Sequence, residues 1–519
     1  MERLVNPWKN AKQVAIMSLD FKNKIFILLL AILMQSPAGF AYGSQNDDYI
    51  PYCITVTFNG DVQSCKGFTW YTNTACASDL LLAEEKTGKL IDFSKARRYQ
   101  GSSTQLTRYT GRKALKKQVT VHRLDLTDLA PDTTYVYKVG DASRGIWSEA
   151  GTFHTATCAD CCRFIIAADS QVEDEQDAAA CARTLQTALQ SVPKADFLIH
   201  LGDFVESYSS EGCYENFAQW QHLFAAAQTV FMNTTIMPVA GNHDGSSNVF
   251  CSQFYLDKLI PAGANTETGA YYAVNYGKVC FIILNCNEGD QNSLGIISTQ
   301  QLDWLKKTAA LVDRQGATWK ILLMHRAIYS FGRHMDQADI IALRAQLAPL
   351  FSDLGIDLVL QGHDHVYMRS QALAKSVSGQ LVAQTDKGKI VNEDFAGKRL
   401  DFTVNPAGTT YIIPNLIGRQ FGFRKNAKML QVYPEAVYQS DDNDEPIFAD
   451  ISIAGNRMVY RAYAYDREGN GQVREIDHYA MQKDNEADGR QVKGSINSPA
   501  GERAAPGTQQ IRQIVNNSF

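Results

Sequence analysis

A chain of 519 residues, 45% hydrophobic and 20% charged, is too long for one core and too ordinary in composition for a disordered or repetitive polymer. At roughly 150 residues per domain it divides into about two to four units. The formal net charge of −5 excludes a protein that holds nucleic acid by neutralising phosphates, so none is expected as a stable partner, and the one basic cluster, "GRKALKK" at 111–117, reads as a solvated strand or loop face.

Near the N-terminus, Lys22 and Lys24 precede the apolar run Ile25 to Met34, and Gly39 and Ala41 follow two residues apart. A charged start, a short apolar stretch and a small-residue cleavage site predict a signal peptide over residues 1–41. The run is too short to span a bilayer, so no transmembrane segment is expected in the mature chain. The expectation is an exported protein, periplasmic, cell-surface or extracellular. Export permits disulfides, and the eleven cysteines all fall between Cys53 and Cys286. Cys53, Cys65 and Cys76 in one segment, or Cys158, Cys161 and Cys162 in the next, are candidates for pairing. Cys280, inside the strand-like "KVCFIILN", reads as a buried thiol.

Residues 48–157 are β throughout: "PYCITVTFNG", "CKGFTWYTN", "VTVHRLDL" and "TTYVYKVGD" alternate or run apolar between Gly, Asp and Asn turns. After "TATCADCC", over 160–480, apolar runs alternate with amphipathic stretches, the pattern of an α/β sandwich with mixed sheets flanked by helices. Helices are predicted at 178–191, 215–230, 299–312 and 338–352. Strands are predicted at Phe164 to Ala168, Phe197 to Leu201, Ile236 to Ala240, Cys280 to Leu284, Lys320 to Met324 and Leu358 to Gln361. "TTYIIPNLIG" and "MVYRAYAYD" are further β-like pieces, and 481–519 is polar enough to read as a flexible tail.

The strand ends carry the chemistry. The first runs into Asp169, the second into Gly202-Asp203, and the third into Gly241-Asn242-His243-Asp244. The fourth runs into Asn285, the fifth into His325, and the last into Gly362-His363-Asp364-His365. In an open α/β sheet the C-terminal strand ends line one edge, so these groups converge although nearly 200 residues separate them. Phosphoester hydrolysis needs a strong nucleophile and compensation for charge on the phosphoryl oxygens, and a pair of metal ions about 3.5–4 Å apart supplies both. Asp203 is the bridging candidate. His325, His363 and the amide oxygen of Asn242 would complete one site, and Asp169 with His365 would begin the other.

These ordered motifs resemble those of the calcineurin-like metallophosphoesterases. With "LAPDTTYVYKVGD" and "WSEAGTFHT" in front, which look like the end of a fibronectin type III-like sandwich with Leu129, Pro131 and Tyr135 at its corner and Trp147 nearby, the chain is similar to purple acid phosphatases. The resemblance spans roughly 48–480. It implies the ligand set above, a metal-bridging hydroxide attacking phosphorus in line, and His243 as a substrate-contacting or acid group supported by Asp244. It also implies that His334, nine residues after His325, touches the phosphate or protonates the leaving group, with Arg326 and Arg333 as alternative phosphate ligands.

Two departures fall on the first metal site. The common pattern Asp-x-His is here Asp169-Ser170-Gln171, and the tyrosine that purple acid phosphatases place three residues after the bridging aspartate is Glu206. The purple colour, which comes from tyrosinate bound to iron(III), is therefore not carried over. Gln171 and Glu206 are the two candidates to complete that site, whose hard oxygens favour manganese, iron, calcium or magnesium. The second site suits zinc, manganese or iron. The expected function is an exported phosphomonoesterase with two divalent or trivalent metal ions, acting on a small-molecule phosphoester. The alternatives are a phosphodiesterase or nucleotide hydrolase with the same centre, or an inactive cell-surface binding protein.

Overall fold

The computed structural model describes residues 47–86, 90–110, 115–157, 160–207, 216–246, 248–288, 296–376, 381–383, 388–419, 436–439 and 445–484. The expected signal peptide and all but the first residues of the expected tail lie outside this set. The described residues from Asp48 onward form one compact unit.

Nine strands come first: β1 (Tyr52–Thr57), β2 (Lys66–Thr72), β3 (Asp79–Glu84), β4 (Arg97–Gln100), β5 (Ser102–Thr110), β6 (Leu115–Leu126), β7 (Thr134–Asp141), β8 (Ile146–Trp147) and β9 (Gly151–His154). They make a sandwich. The order β1-β2-β6-β5 faces β4-β3-β7-β8, and β9 pairs with β7. Phe68, Trp70, Leu80, Leu124, Tyr137 and Phe153 fill the space between. Phe68 meets Tyr137 edge-on at 4.9 Å, the arrangement that the ring quadrupoles favour. The hydroxyl of Tyr135 accepts the backbone N–H of Ala130 at 2.9 Å and fixes the corner that the sequence places there.

The alternating region follows with β10 (Cys161–Ala167), α1 (Glu175–Ser191), β11 (Phe197–His200), α2 (Phe217–Phe231), β12 (Ile236–Pro238), α3 (Val249–Gln253), β13 (Tyr272–Tyr276), β14 (Val279–Ile283), α4 (Thr299–Arg314), β15 (Trp319–Leu323), α5 (Ala338–Asp353), β16 (Leu358–Leu360) and β17 (Tyr367–Ser370). The remaining strands are β18 (Leu373–Lys375), β19 (Leu381–Ala383), β20 (Lys389–Phe395), β21 (Lys398–Val404), β22 (Thr410–Pro414), β23 (Ala436–Gln439), β24 (Ile447–Ala454), β25 (Arg457–Tyr465) and β26 (Val473–Gln482). The last strand carries order past residue 480. Lys483 continues it, donating to the carbonyl of Thr318 and to Asp357.

Two large sheets stack. One has the order β13-β14-β15-β16-β22-β17-β23, and the other runs β20-β21-β26-β25-β24-β10-β11-β12-β1-β2-β6-β5. The second sheet joins the two halves of the chain, because β1 of the sandwich pairs in parallel with β12, with Thr57 opposite Ile236. Strand periodicity builds the layers: Ile321 and Leu323 face the sheet-to-sheet core with Phe164 and Phe197, while Leu322 and Met324 face Leu305 of α4 and Leu343 and Leu347 of α5. Phe164 stacks on Phe197 at 4.9 Å, and both meet Phe281 edge-on across the layer. Helix α1 starts where Asp174 caps the N–H groups of Gln176 and Asp177. It buries Ala178, Cys181, Ala182, Leu185 and Ala188 at helical spacing against the other side.

Among the described residues the expected cysteine pairing does not occur. Cys53, Cys65, Cys76, Cys161 and Cys162 are free, and Cys158 lies outside the described residues. Neighbouring strands carry these thiols to separate surroundings; Cys53 is buried, whereas Cys161 is exposed. Cys280 is fully buried, as the sequence predicts.

Candidate metal centre

The centre forms where the C-terminal ends of β10, β11 and β12 in one sheet meet those of β15 and β16 in the other. The turn after β10 and the turn after β11 zip together: Asp169 N–H donates to Gly202 O at 3.0 Å, Gln171 N–H to Asp203 O at 2.9 Å, and Glu206 N–H to Val172 O at 3.2 Å. Three acids and imidazoles sit in left-handed backbone, with φ of 53° at Asp169, 55° at Asp203 and 72° at His363. Such conformations cost about 1–3 kcal/mol each and persist where surrounding contacts impose them. Here the imposed contacts aim the side chains inward. Gly202 (φ +96°) has to be glycine, since a Cβ would lie 2.7 Å from Gly241 N and from His325 Nδ1. At Gly362 a Cβ would come within 2.8 Å of the Asp169 carboxylate.

The ligand-bearing atoms of Asp203, His325 and His363 all lie within 4.8 Å of one another. His325 Nε2 is 3.1 Å from Asp203 Oδ2 and 3.2 Å from Asn242 Oδ1. Its Nδ1 lies 2.8 Å from the carbonyl of Leu201, which can only accept, so Nδ1 carries a proton and Nε2 is the nitrogen turned toward Asp203 and Asn242. On the other flank His365 Nε2 is 3.5 Å from Asp169 Oδ1, and Asp169 also receives the N–H of His363 at 3.0 Å. The expected ligands Asp169, Asp203, Asn242, His325, His363 and His365 are thus brought together.

Among the described residues, two buried atoms aimed at no partner match what a cation would satisfy. They are Nε2 of His363 and Oε1 of Gln171. Gln171 is 6% exposed. The carboxylate of Glu206 turns instead toward His243: Oε1 is 3.6 Å from His243 Nδ1, and that same nitrogen donates to the Glu206 carbonyl at 2.9 Å. The donor set of carboxylate, amide and imidazole groups fits two hard or borderline cations sharing Asp203.

Electrostatics agree with a site built for positive charge. Burial opposes charge on His325, yet the Asp203 carboxylate, with Asp169 behind it, carries its pKa up to about 9. Burial likewise opposes charge on Asp203, but His325 and His243 hold its carboxyl well below the usual range. Burial and the neighbouring His325 push His363 down.

Asp244, the expected support of His243, is held by backbone donors. It is fully buried and accepts the N–H groups of Asp203 (3.0 Å), Phe204 (2.7 Å) and Gly241 (2.7 Å). Burial and the nearby Asp203 charge push its pKa up to about 7 against those donors. His334 stands beside the centre, its ring 4.4 Å from that of His363. Its Nδ1 is 2.9 Å from Gln337 Oε1, and its Nε2 receives Arg333 Nε at 3.0 Å. Arg326 is drawn off by Asp339 at 2.5 Å.

Three residues outside the expected set shape the site. His200 is buried under it, 2.7 Å from Ser170 Oγ, receiving the Gly202 N–H at 3.3 Å and stacked on Phe204. Burial, then the charge of His325, lower its pKa to about 3, so it stays neutral. Asn287 donates to Gly241 O at 2.9 Å and holds the third turn. Asp364 receives the N–H of His334 at 3.2 Å. A polar residue closing a four-residue apolar strand, "FLIH", was the available signal for His200.

Residues 162–367 match the calcineurin-like phosphoesterase family and residues 51–155 match the purple acid phosphatase N-terminal domain. The chain therefore carries a calcineurin-like phosphoesterase domain behind a purple acid phosphatase N-terminal domain. It is 24% identical over 273 residues to purple acid phosphatase 15 of Arabidopsis thaliana, covering 48% of this chain and 49% of that protein. To probable inactive purple acid phosphatase 1 of the same plant it is 26% identical over 293 residues, covering 50% and 45%. The chain spans about half the length of the curated relatives it matches. The structure of a purple acid phosphatase from yellow lupin (Lupinus luteus) seeds shares its fold, with a TM-score of 0.60 at 17% identity over 84% of this chain and 75% of that one.

Proposed function

We propose that the protein is an exported phosphomonoesterase that works through two metal ions held by Asp169, Gln171, Asp203 and His365 on one side and Asp203, Asn242, His325 and His363 on the other. The observation that carries the reading is the approach of the Asp203, His325 and His363 ligand atoms to within 4.8 Å. Bound there, the metals would supply Lewis acidity that activates the attacking water and offsets charge on the phosphoryl oxygens.

The chain's own groups do the rest. Asp203 would serve both sides, with Oδ2 facing His325 Nε2 at 3.1 Å and Oδ1 held by the His243 N–H at 2.8 Å. His243, with Nδ1 committed to Glu206, has Nε2 to give a proton to the leaving alkoxide or aryloxide. Arg333, held at Nε by His334 on the loop that Asp364 ties to the last turn, orients the phosphoryl oxygens of the substrate. The sandwich, fibronectin type III-like at its Tyr135 corner, braces the sheet that carries β12. Export rests on the charged and apolar pattern before Ala41; among the described residues no helix is long and apolar enough to cross a membrane.

The deciding experiment measures hydrolysis of an aryl phosphate and of a bis-aryl phosphate by the purified chain at acid to neutral pH, with divalent metals and with chelator. Monoester hydrolysis that is lost on chelation and in Asp203→Ala and His363→Ala supports the proposal. Preference for the diester would replace the substrate class. Activity undiminished in chelator, or none with any metal, would overturn the enzyme reading.

A further inference from the structure

Away from the metal centre, the hairpin of β20 and β21 folds against β10, β24 and β25 and leaves a cavity of about 570 Å³. Arg163, Phe395, Lys398, Arg461, Tyr463 and Glu475 are among the residues that line it. Arg163 lies six positions before Asp169, so extended chain at about 3.3 Å per residue puts roughly 20 Å between the two sites. The volume falls in the range of small-molecule pockets.

The charges around this cavity are unequally matched. Arg163 Nε donates to Asp450 Oδ2 at 3.1 Å, and Asp450 also receives the hydroxyls of Tyr463 at 2.8 Å and Ser452 at 3.2 Å. Asp196, also in the lining, accepts the backbone N–H of Arg163 at 2.7 Å. Those groups are satisfied. Among the described residues Arg461 is not: its side chain is 10% exposed, and its ion-pair contact places Nε 3.9 Å from Glu475 Oε2, beyond hydrogen-bond reach. Glu475 meanwhile has a closer partner in His478, whose Nδ1 is 3.2 Å from Oε1. Exposed Lys398 has no ion pair among the described residues and adds a second positive charge to the lining.

A guanidinium carries five N–H donors in a fork suited to oxyanions, and removing it from water without acceptors is costly. The wall beside it is aromatic. We infer that this cavity binds a small organic oxyanion, whose phosphate-like or carboxylate head pairs with Arg461 and Lys398 and whose apolar body lies against Phe395 and Tyr463. The site is independent of the reading given to the metal centre.

Thermal unfolding of the metal-loaded full chain tests this, with phenylphosphonate and, separately, benzoate as probes, in wild type, Arg461→Met and Lys398→Ala. The wild-type midpoint should rise by about 2 °C or more at saturating probe, and Arg461→Met should lose that increment. Whichever probe acts identifies the head group. Phenylphosphonate held at the metal centre would shift wild type and variant alike, so the difference between them is the readout. Without probe, Arg461→Met should be at least as stable as wild type, because it removes an under-paired buried charge. Equal shifts in wild type and Arg461→Met, or no shift with either probe, would overturn the inference. So would a large loss of stability in unliganded Arg461→Met, which would make the arginine structural. Should that variant fail to fold, surface Lys398→Ala decides: a several-fold weaker response supports the site and an unchanged one sinks it.

Discussion

The carboxylate of Asp244 receives the backbone N–H of Asp203 at 3.0 Å, so one buried acid fixes the main chain of another. Its remaining acceptor capacity goes to Phe204 and Gly241, which ties the turns after β11 and β12 to a single side chain. In Asp244→Asn the new amide would face N–H donors with N–H groups of its own. A cost of about 1–3 kcal/mol is expected, together with reduced metal content. Urea unfolding and elemental analysis of the variant check this; unchanged stability would return Asp244 to the role of partner for His243.

Gln171 and Glu206 divide differently than their positions in the sequence suggest. Among the described residues the amide oxygen of Gln171 is buried without a partner, whereas Glu206 is engaged with His243. Gln171→Ala should therefore purify with about one metal equivalent in place of two. Glu206→Gln should keep both and lose rate through a misplaced His243. Metal analysis alongside kcat separates the two outcomes, and the reverse pattern would reassign the ligand.

Removing the metals should also loosen the fold. Asp169 and Asp203 are buried carboxylates on strained turns, and a cation that binds only the folded chain stabilises it by mass action. Thorough chelation is expected to lower the unfolding midpoint by several degrees, and manganese or iron should restore it. A midpoint indifferent to chelator would count against a resident metal pair.

Lys66 provides a pH-dependent signature far from the chemistry. It is 1% exposed, donates to Thr235 Oγ1 at 2.9 Å and lies over the Phe58 ring. Burial lowers its pKa to about 7, against the pull of Asp196. Below pH 7 both folded and unfolded chains carry the charge and the fold bears its full burial cost. Between about 7 and the ordinary lysine value the unfolded chain binds the extra proton, so stability rises with pH. Lys66→Met should be more stable than wild type by about 1–4 kcal/mol at pH 6, with the advantage shrinking toward pH 10. Denaturant midpoints across that range test it.

Much of the centre was legible because its ligands follow apolar runs, and a parallel sheet brings such positions to one edge. The strand Leu358–Leu360 and the helix Ala338–Asp353 fall within a residue or two of the spans that periodicity predicts. What stayed hidden depends on meetings between loops distant in sequence. Nothing near Glu206 announces that it faces His243, and nothing near Asp244 announces three amides. The cysteines misled for a related reason: spacing along the chain says little about which thiols the strands carry apart.

The pairing of β1 with β12 decides how this chain can be divided. A chain beginning at residue 160 would leave the N–H and C=O groups of β12 open along one side, an adhesive border that invites strands from other molecules. Such a fragment should precipitate even though every metal ligand is present in it. The front sandwich thus covers the border of the sheet that carries Asp169 and Asp203.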